Sequence, residues 1–408
     1  MDVVCDIETD DLDAKKIWCV VCLEVVTDKI HVFVRPDKNI QERKRLIEFS
    51  KRVTRWIGHY FISFDYPTLI RFFRDINMDL DSIIDTLVLS RLFNYTIKGG
   101  HSLENIAKHA PGRKKIQIED FATFDKGKID RCIEDCKINK WLYLRLQKWN
   151  EDPRFSQAIR TEHIIESLCH ELHSNGFYFD IDYAKEVYSE LMILHSKLTS
   201  DLREAFPPRS KLIREINPVL TKHGTLNQKD FRWHDTGDLS SYSDNSPFSR
   251  IDWVEFSPAS PKQVVERLNE AGWNPTEKTK GHVEFIKQSK KNRDPEREQY
   301  FKTYGWKINE ENLETISDDA PEAAKSLVKW LLVEGRKRVF ETWFKAYNPD
   351  THRIHGDFHG IGAWTHRMSH SNPNMANVPS TDSKYGADEL RELAKYYGER
   401  MRACWTVP

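Results

Sequence analysis

The stretch Cys5-Asp6-Ile7-Glu8-Thr9 sets two carboxylates one residue apart. In a β-strand, residues i and i+2 point to the same face. The apolar neighbours Val3, Val4, Cys5 and Ile7 read as a buried strand. Asp6 and Glu8 then stand side by side, which is costly for like charges unless a cation sits between them. Mg²⁺ suits the task because it takes carboxylate oxygens. The alternative is a surface strand with two solvated acids. Two further acids share the pattern. Asp65, in Ser63-Phe64-Asp65-Tyr66-Pro67, falls at a strand–helix junction, where sites collect on α/β sheets. Asp135, in Cys132-Ile133-Glu134-Asp135-Cys136, falls on a helix whose apolar side packs on the sheet. Any one aspartate alone reads as a solvated or capping residue. Their order gives the reading weight: D-x-E on the first strand, Asp before a helix, Asp on the last helix of the domain.

The elements that must position these residues follow from the hydrophobic pattern. Residues 1–34 read as three strands, with a turn at Val26-Thr27-Asp28-Lys29, and a helix follows around Gln41–Phe49. Arg55 to Phe73 begins as a strand and turns helical near Tyr66-Pro67, since proline suits a first helical turn. Ser82–Phe93 reads as helix, and the long segment from Ile129 to Trp149 closes a mixed α/β domain. From Glu162 to Phe206 the pattern becomes two long amphipathic helices around Gly176-Phe177-Tyr178-Phe179. Residues 207–256 interrupt it, rich in Pro, Ser, Asp and Asn yet carrying Phe231, Trp233, Tyr242, Phe248 and Trp253. Helical texture returns from Ser260 to Trp273 and from Ala323 to Phe344, and the stretch from Ile354 to Ser380 reads as polar loop.

Bulk properties set limits. With 408 residues, two or three domains are expected. A composition of 39% hydrophobic and 31% charged residues argues against wholesale disorder. The net charge of −1 means that nucleic-acid binding must rest on local patches. Seven cysteines, including the apolar Cys19-Val20-Val21-Cys22, read as reduced core residues, not as a zinc or redox set. No signal-like start or membrane-length apolar run is present, so a cytosolic location is expected.

The chain resembles the N-terminal portion of a family A (DNA polymerase I type) DNA polymerase, closest to those of short-tailed phages. The resemblance implies an α/β plus α chain: an RNase H-like DEDD 3′–5′ exonuclease domain over 1–150, then a mainly helical polymerase thumb with an inserted loop region. The thumb helices are expected at 151–206 and the insertion at 207–256. The rest of the thumb and a T-x-R segment follow at 257–380, and the start of the palm at 381–408. Asp6-Ile7-Glu8 matches the family's first exonuclease motif, Phe64-Asp65 the second, and Asp135 the third, with an Asp at the head of a helix. The implied role of Asp6, Glu8, Asp65 and Asp135 is to hold two Mg²⁺ or Mn²⁺ ions. Two positions depart from the family. Tyr60 stands where the family has Asn. Arg131 stands where it has a water-orienting Tyr, and arginine cannot serve as a general base, although it could hold the scissile phosphate.

Thr365, Arg367, Asn374 and Asn377 match the family's T-x-R and P-N-x-x-N-x-P segments, which contact the primer–template backbone. Arg336 and Lys337 join them as expected DNA contacts, since Arg has the chemistry for phosphate. The closing Arg402-Ala403-Cys404-Trp405-Thr406-Val407 resembles the segment before the palm's first catalytic strand and is expected to be an apolar strand. The expectation is therefore an exonuclease and thumb subunit of a split polymerase, in the cytoplasm of a phage-infected bacterial host. It would bind primer–template and single-stranded DNA and join a palm-and-fingers chain, without polymerising alone. The insertion implies host thioredoxin or another processivity factor, with a plain surface loop as the alternative. A stand-alone 3′–5′ exonuclease and a DNA-binding scaffold with a decayed exonuclease site are the competing functions.

Overall fold

The computed structural model describes the chain except residues 225–226, 228–245, 291–292, 314, 318, 382–387 and 408. It divides into two compact units. The first comprises Met1–Phe179, Ala346–Asn377 and Val407–Pro408, and the second Asp180–Lys345 and Val378–Thr406. This division runs through three of the expected segments, 151–206, 257–380 and 381–408.

The first unit is built on a five-stranded sheet. Strands β1 (Asp2–Thr9), β2 (Ile17–Glu24) and β3 (Ile30–Val34) form an antiparallel meander. Helix α1 (Ile40–Ser50), capped by the Asn39 side chain, leads into β4 (Arg55–Gly58), which pairs parallel to β1. Helix α2 (Asp65–Phe72) follows, then β5 (Ile83–Asp85), parallel to β4, and α3 (Thr86–Phe93). The strand order is β3-β2-β1-β4-β5. The segment Ser82–Phe93 is thus part strand and part helix, not wholly helical. Ile83 and Ile84 extend the sheet before Asp85 caps α3 by accepting from the backbone N–H groups of Leu87 and Val88. Helices α4 (Leu103–Ala107), α5 (Lys126–Asn150) and α6 (Ser156–Asn175) and the short β6 (Phe177–Tyr178) complete this stretch.

The sheet is covered on both faces, so β1 is buried along nearly all of its length, its two acids included in the strand. Val3, Cys5 and Ile7 pack with Leu46, Trp56 and Leu69 on the α1/α2 side. Val4, Cys19 and Val21 pack with Cys132, Cys136 and Leu142 of α5 on the other. By the two-residue period, Asp6 and Glu8 belong to the face of Val4, the face that α5 covers. All seven cysteines are buried and free, as the composition led one to expect.

The second unit begins with α7 (Ile181–Ala205), capped by Asp180. The 207–256 region is not an irregular loop throughout. Its two ends, β7 (Arg209–Ile216) and β8 (Phe248–Val254), pair as an antiparallel ribbon. Phe231, Trp233 and Tyr242 lie outside the described residues. Helices α8 (Pro261–Glu270), α9 (Lys280–Lys287), α10 (Pro295–Tyr304), α11 (Glu310–Leu313) and the long α12 (Glu322–Ala346) follow. The chain then returns to the first unit, where β9 (Tyr347–Asn348), β10 (Arg353–Ile354) and β6 form a small sheet. There β11 (Asp357–His359) pairs with β12 (Ser369–Ser371). Helix α13 (Asp388–Ala403) belongs to the second unit and takes in Arg402 and Ala403, so the expected terminal strand is absent. The amphipathic run Leu390, Ala394, Tyr397 and Met401, buried at helical spacing, explains why helix prevails there.

Candidate metal and nuclease site

Side-chain oxygens of Asp6, Glu8 and Asp135 lie within 4.8 Å of one another. Two elements bring them together. Strand β1 projects Asp6 and Glu8 from one face, and α5 crosses that face, anchored where the Cys132 thiol donates to the Asp6 carbonyl at 3.2 Å. Asp135 sits in the interior of α5, not at its head. Asp65, expected as a fourth ligand, is not in that 4.8 Å group; it lines the same cavity from the first turn of α2, where its Oδ1 accepts from the Ile7 N–H at 3.0 Å. That bond ties the helix to the centre of β1. A carboxylate at a helix N-terminus is also favoured by the helix dipole.

Asp85, which the sequence reading did not single out, fixes the connection that delivers Asp65. Fully buried, it accepts from the backbone N–H groups of Tyr60 at 3.2 Å and Ile62 at 3.1 Å while capping α3. Tyr60 takes a positive φ of 61° in that turn. The spacing Ile84-Asp85-Thr86-Leu87, a cap before an apolar helix, was the available signal.

The electrostatics are those of crowded buried acids. Burial, then the neighbouring Asp135 and Glu8, holds Asp6 well above the usual carboxylate range. Burial pushes Glu8 up to about 7 against the pull of Arg131. Burial and the Asp6 charge raise Asp65, and burial raises Asp135 although Lys115 opposes it. Two cations answer the four acids. Arg131, one helical turn before Asp135, places its Nε 3.0 Å from Glu8 Oε1 and 3.8 Å from Asp135 Oδ2. Lys115, from the connection between α4 and α5, places its Nζ 3.0 Å from the same Asp135 Oδ2. Phe121 lies under the Arg131 guanidinium at 5.2 Å. The other Asp135 oxygen, Oδ1, is buried without a hydrogen-bond partner. Lys115 was also missed. Its run Arg113-Lys114-Lys115 carries no periodicity that would place it.

The cluster opens into a cavity of about 1120 Å³, lined also by His59, Tyr60, Arg91, Tyr95, His101 and Ser369. Burial drives the His59 imidazole down to about 4, and its ring nitrogens are engaged by Thr86 Oγ1 and the His101 carbonyl. It is neutral and committed at physiological pH.

The expected DNA contacts fall into two groups. Thr365, Arg367, Asn374 and Asn377 are exposed in the first unit, around β12. Here the Arg367 carbonyl accepts from Gly362 and the Asn374 carbonyl from Asn377. Arg336 and Lys337 lie on α12 of the second unit, and Lys337 is paired with Glu334 at 3.3 Å.

Residues 249–406 match the model of DNA polymerase family A. At low identity the chain is homologous to phage replication enzymes. It is 24% identical to the DNA-directed DNA polymerase of Enterobacteria phage T3, over 94% of this chain and 64% of that protein. It is 24% identical to the DNA-directed DNA polymerase of Escherichia phage T7, over 81% of this chain and 55% of that protein. The chain thus spans roughly three-fifths of the length of the phage relatives it matches. Its fold resembles the POL domain of Pol1 from M. smegmatis, solved with DNA primer-template and dNTP. That match has a TM-score of 0.61 at 13% identity and covers all of this chain and 55% of that one. The chain thus carries a stretch that matches DNA polymerase family A and is similar along most of its length to phage DNA polymerases.

Proposed function

We propose that the first unit is a 3′–5′ exonuclease that removes nucleotides from DNA 3′ ends, within a family A polymerase-type protein that grips primer–template. One observation carries the reading: three carboxylates converge within 4.8 Å in a cavity of nucleotide size, and a buried Asp135 oxygen has no partner. The donor set is all carboxylate, the chemistry that Mg²⁺ and Mn²⁺ prefer. Asp6, Glu8 and Asp135, with Asp65 behind Asp6, would hold the metal. A bound divalent ion supplies a lowered water pKa and charge neutralisation at phosphate.

The chain's own residues do the rest. Arg91 and Lys115 bring positive charge to the cavity for the phosphodiester anion. Tyr95 donates its hydroxyl to the Gly362 carbonyl at 2.9 Å, holding the β11–β12 connection at the cavity wall. Neither Arg131 nor His59 serves as the base: the first keeps its proton and the second is buried and engaged. Hydrolysis consumes one water. Its oxygen bonds to phosphorus, the bond to the 3′ oxygen breaks, and a 5′-monophosphate leaves a new 3′-hydroxyl. A gel assay of 5′-labelled single-stranded DNA with Mn²⁺ or Mg²⁺, against chelator, tests this. Metal-dependent shortening that the Asp6→Ala/Glu8→Ala double variant loses is expected; equal shortening by that variant overturns the site.

A second reading, a DNA-binding scaffold with a decayed nuclease site, is favoured by the two cations already paired with Glu8 and Asp135. It requires that neither metal binding nor cleavage occur. Under either reading, the exposed Thr365, Arg367, Asn374 and Asn377 are proposed to hold the DNA backbone, in an infected bacterial host. A palm-and-fingers chain and a processivity factor on the β7–β8 ribbon are further proposed partners. Co-purification followed by primer extension tests both.

A further inference from the structure

Resting on the exonuclease reading, we infer that this site takes one divalent ion, and that Arg131 and Lys115 together stand in for the second. The geometry divides Asp135 between two tasks. Asp135 Oδ2 is shared by Lys115 Nζ at 3.0 Å and Arg131 Nε at 3.8 Å, while Oδ1 is buried and unpartnered. Glu8 Oε1 faces Arg131 Nε at 3.0 Å. One side of the cluster is therefore occupied by positive charge and the other offers the bare Asp135 Oδ1. The charges agree. Asp6, Glu8, Asp65 and Asp135 sum to −4 when ionised, the two side chains supply +2, and one dication completes neutrality. Two dications added to those two side chains would leave +2 in a buried site, which desolvation opposes.

Arg131 is held in place by more than the acids. Arg131 lies over the Phe121 ring, and the Trp18 indole N–H donates to the Phe121 carbonyl at 2.9 Å, pinning the loop that carries that ring. Arg131 also sits on the rigid α5, four residues before Asp135. The Arg131 side chain is therefore set as part of the site and is not a rim charge that an ion would sweep aside; Lys115 meets the same Asp135 oxygen from the connection between α4 and α5.

The test is the stoichiometry of Mn²⁺ binding to the full chain, by titration calorimetry with electron paramagnetic resonance of free Mn²⁺ as a check. The Asp6→Asn/Glu8→Gln variant gives the background from other acids. One ion per chain above that background is expected, rising to two in the Arg131→Gln/Lys115→Gln variant. Two ions in the unaltered chain overturn the inference and leave the nuclease reading standing. So does a variant that stays at one ion while keeping its circular dichroism and cooperative melting. No binding above background, with no cleavage, overturns the nuclease reading itself. Should the double variant fail to fold, the count on the unaltered chain decides alone.

Discussion

The carboxylate cluster and the β7–β8 ribbon break the ordinary rule of burial in opposite senses. In the first, Glu8, Asp65 and Asp135 are buried among apolar side chains. In the second, Leu212, Ile251 and Trp253 are exposed, Trp253 at 69%. A buried acid or an exposed apolar patch is informative where an exposed lysine or a buried leucine is not. The two regions also differ in how they are held. The acids lie on a five-stranded sheet and a 25-residue helix covered on both sides. The ribbon has only two strands, an arrangement marginal on its own in water. Folding supplies the surroundings that the acids need, whereas the ribbon's apolar face still faces water. Rigid placement serves chemistry, and an uncovered face serves contact.

The sharpest test of the first half is Asp6→Ala. Cleavage should fall by about 10³-fold or more, since an ion that activates water and neutralises phosphate loses a ligand. The same change should raise the melting temperature of the metal-free protein, because the charges nearest Asp6 are the acids Asp135 and Glu8. A stable but fully active variant, seen in the gel assay, would remove the chemical role. An inactive variant of lower stability would make Asp6 a structural residue.

Next in size is a pH effect. Glu8 titrates near 7 in the folded chain, above its usual 4.5, because burial disfavours its charge. The folded state therefore holds the proton more tightly than the unfolded state. The corresponding stability is fully present below about pH 4.5 and is lost as pH rises through 7. From 4.5 to about 7 this amounts to roughly 3 kcal/mol at most. Denaturant melts of the metal-free chain against Glu8→Gln, at intervals from pH 4.5 to 8, should show the difference between them growing across that window. A constant difference would mean that Arg131 keeps Glu8 ionised throughout.

A smaller effect is expected at Arg131. Arg131→Gln removes the cation beside Glu8 and should cost about 2 kcal/mol at pH 8, below the roughly 3–5 kcal/mol of breaking a buried pair because the acid can protonate. The cost should shrink at pH 5.5, where Glu8 is neutral, and Mn²⁺ should restore stability at pH 8. Equal melting of both forms at pH 8 would make the ion pair incidental.

How much of this was legible follows from the periodicities involved. Asp6 and Glu8 could be paired from their i, i+2 spacing because a strand has no other way to present them. The strands β1 to β4 and helices α1, α5, α7 and α12 followed from runs long enough to show a period. Ile83–Asp85 did not, since two apolar residues and an acid before a helix look like its first turn. The terminal Arg402–Val407 was misjudged as strand because its helical partners, Leu390, Ala394 and Tyr397, lie upstream of the stretch considered. Lys115 was invisible for a different reason: it acts through the fold, reaching Asp135 from a segment without period. Asp85 shows locally only as a cap before an apolar helix; its hold on a turn 25 residues away does not. Long-range polar contacts of this kind leave no local signature.

The smallest expected effect belongs to the ribbon and tests the second half of the contrast. Ladder pairing sets Leu212 opposite Ile251 and Ser210 opposite Trp253. Ile251 and Trp253 are two apart on β8, so Leu212, Ile251 and Trp253 share one face. All three are exposed, so replacing them removes little buried area. Cross-strand apolar pairs contribute about 0.2–1 kcal/mol, and surface changes usually stay within about 0.5 kcal/mol. Leu212→Ser with Trp253→Ser should therefore lower overall stability by no more than about 1 kcal/mol and leave DNA cleavage unchanged. Capture of a processivity factor, or self-association at high concentration, should be lost. Denaturant melts, the gel assay and light scattering on one preparation measure all three. A loss of more than about 2 kcal/mol would mean that this face is core and not a docking surface, and the opposition between the two regions would fail on its weaker side.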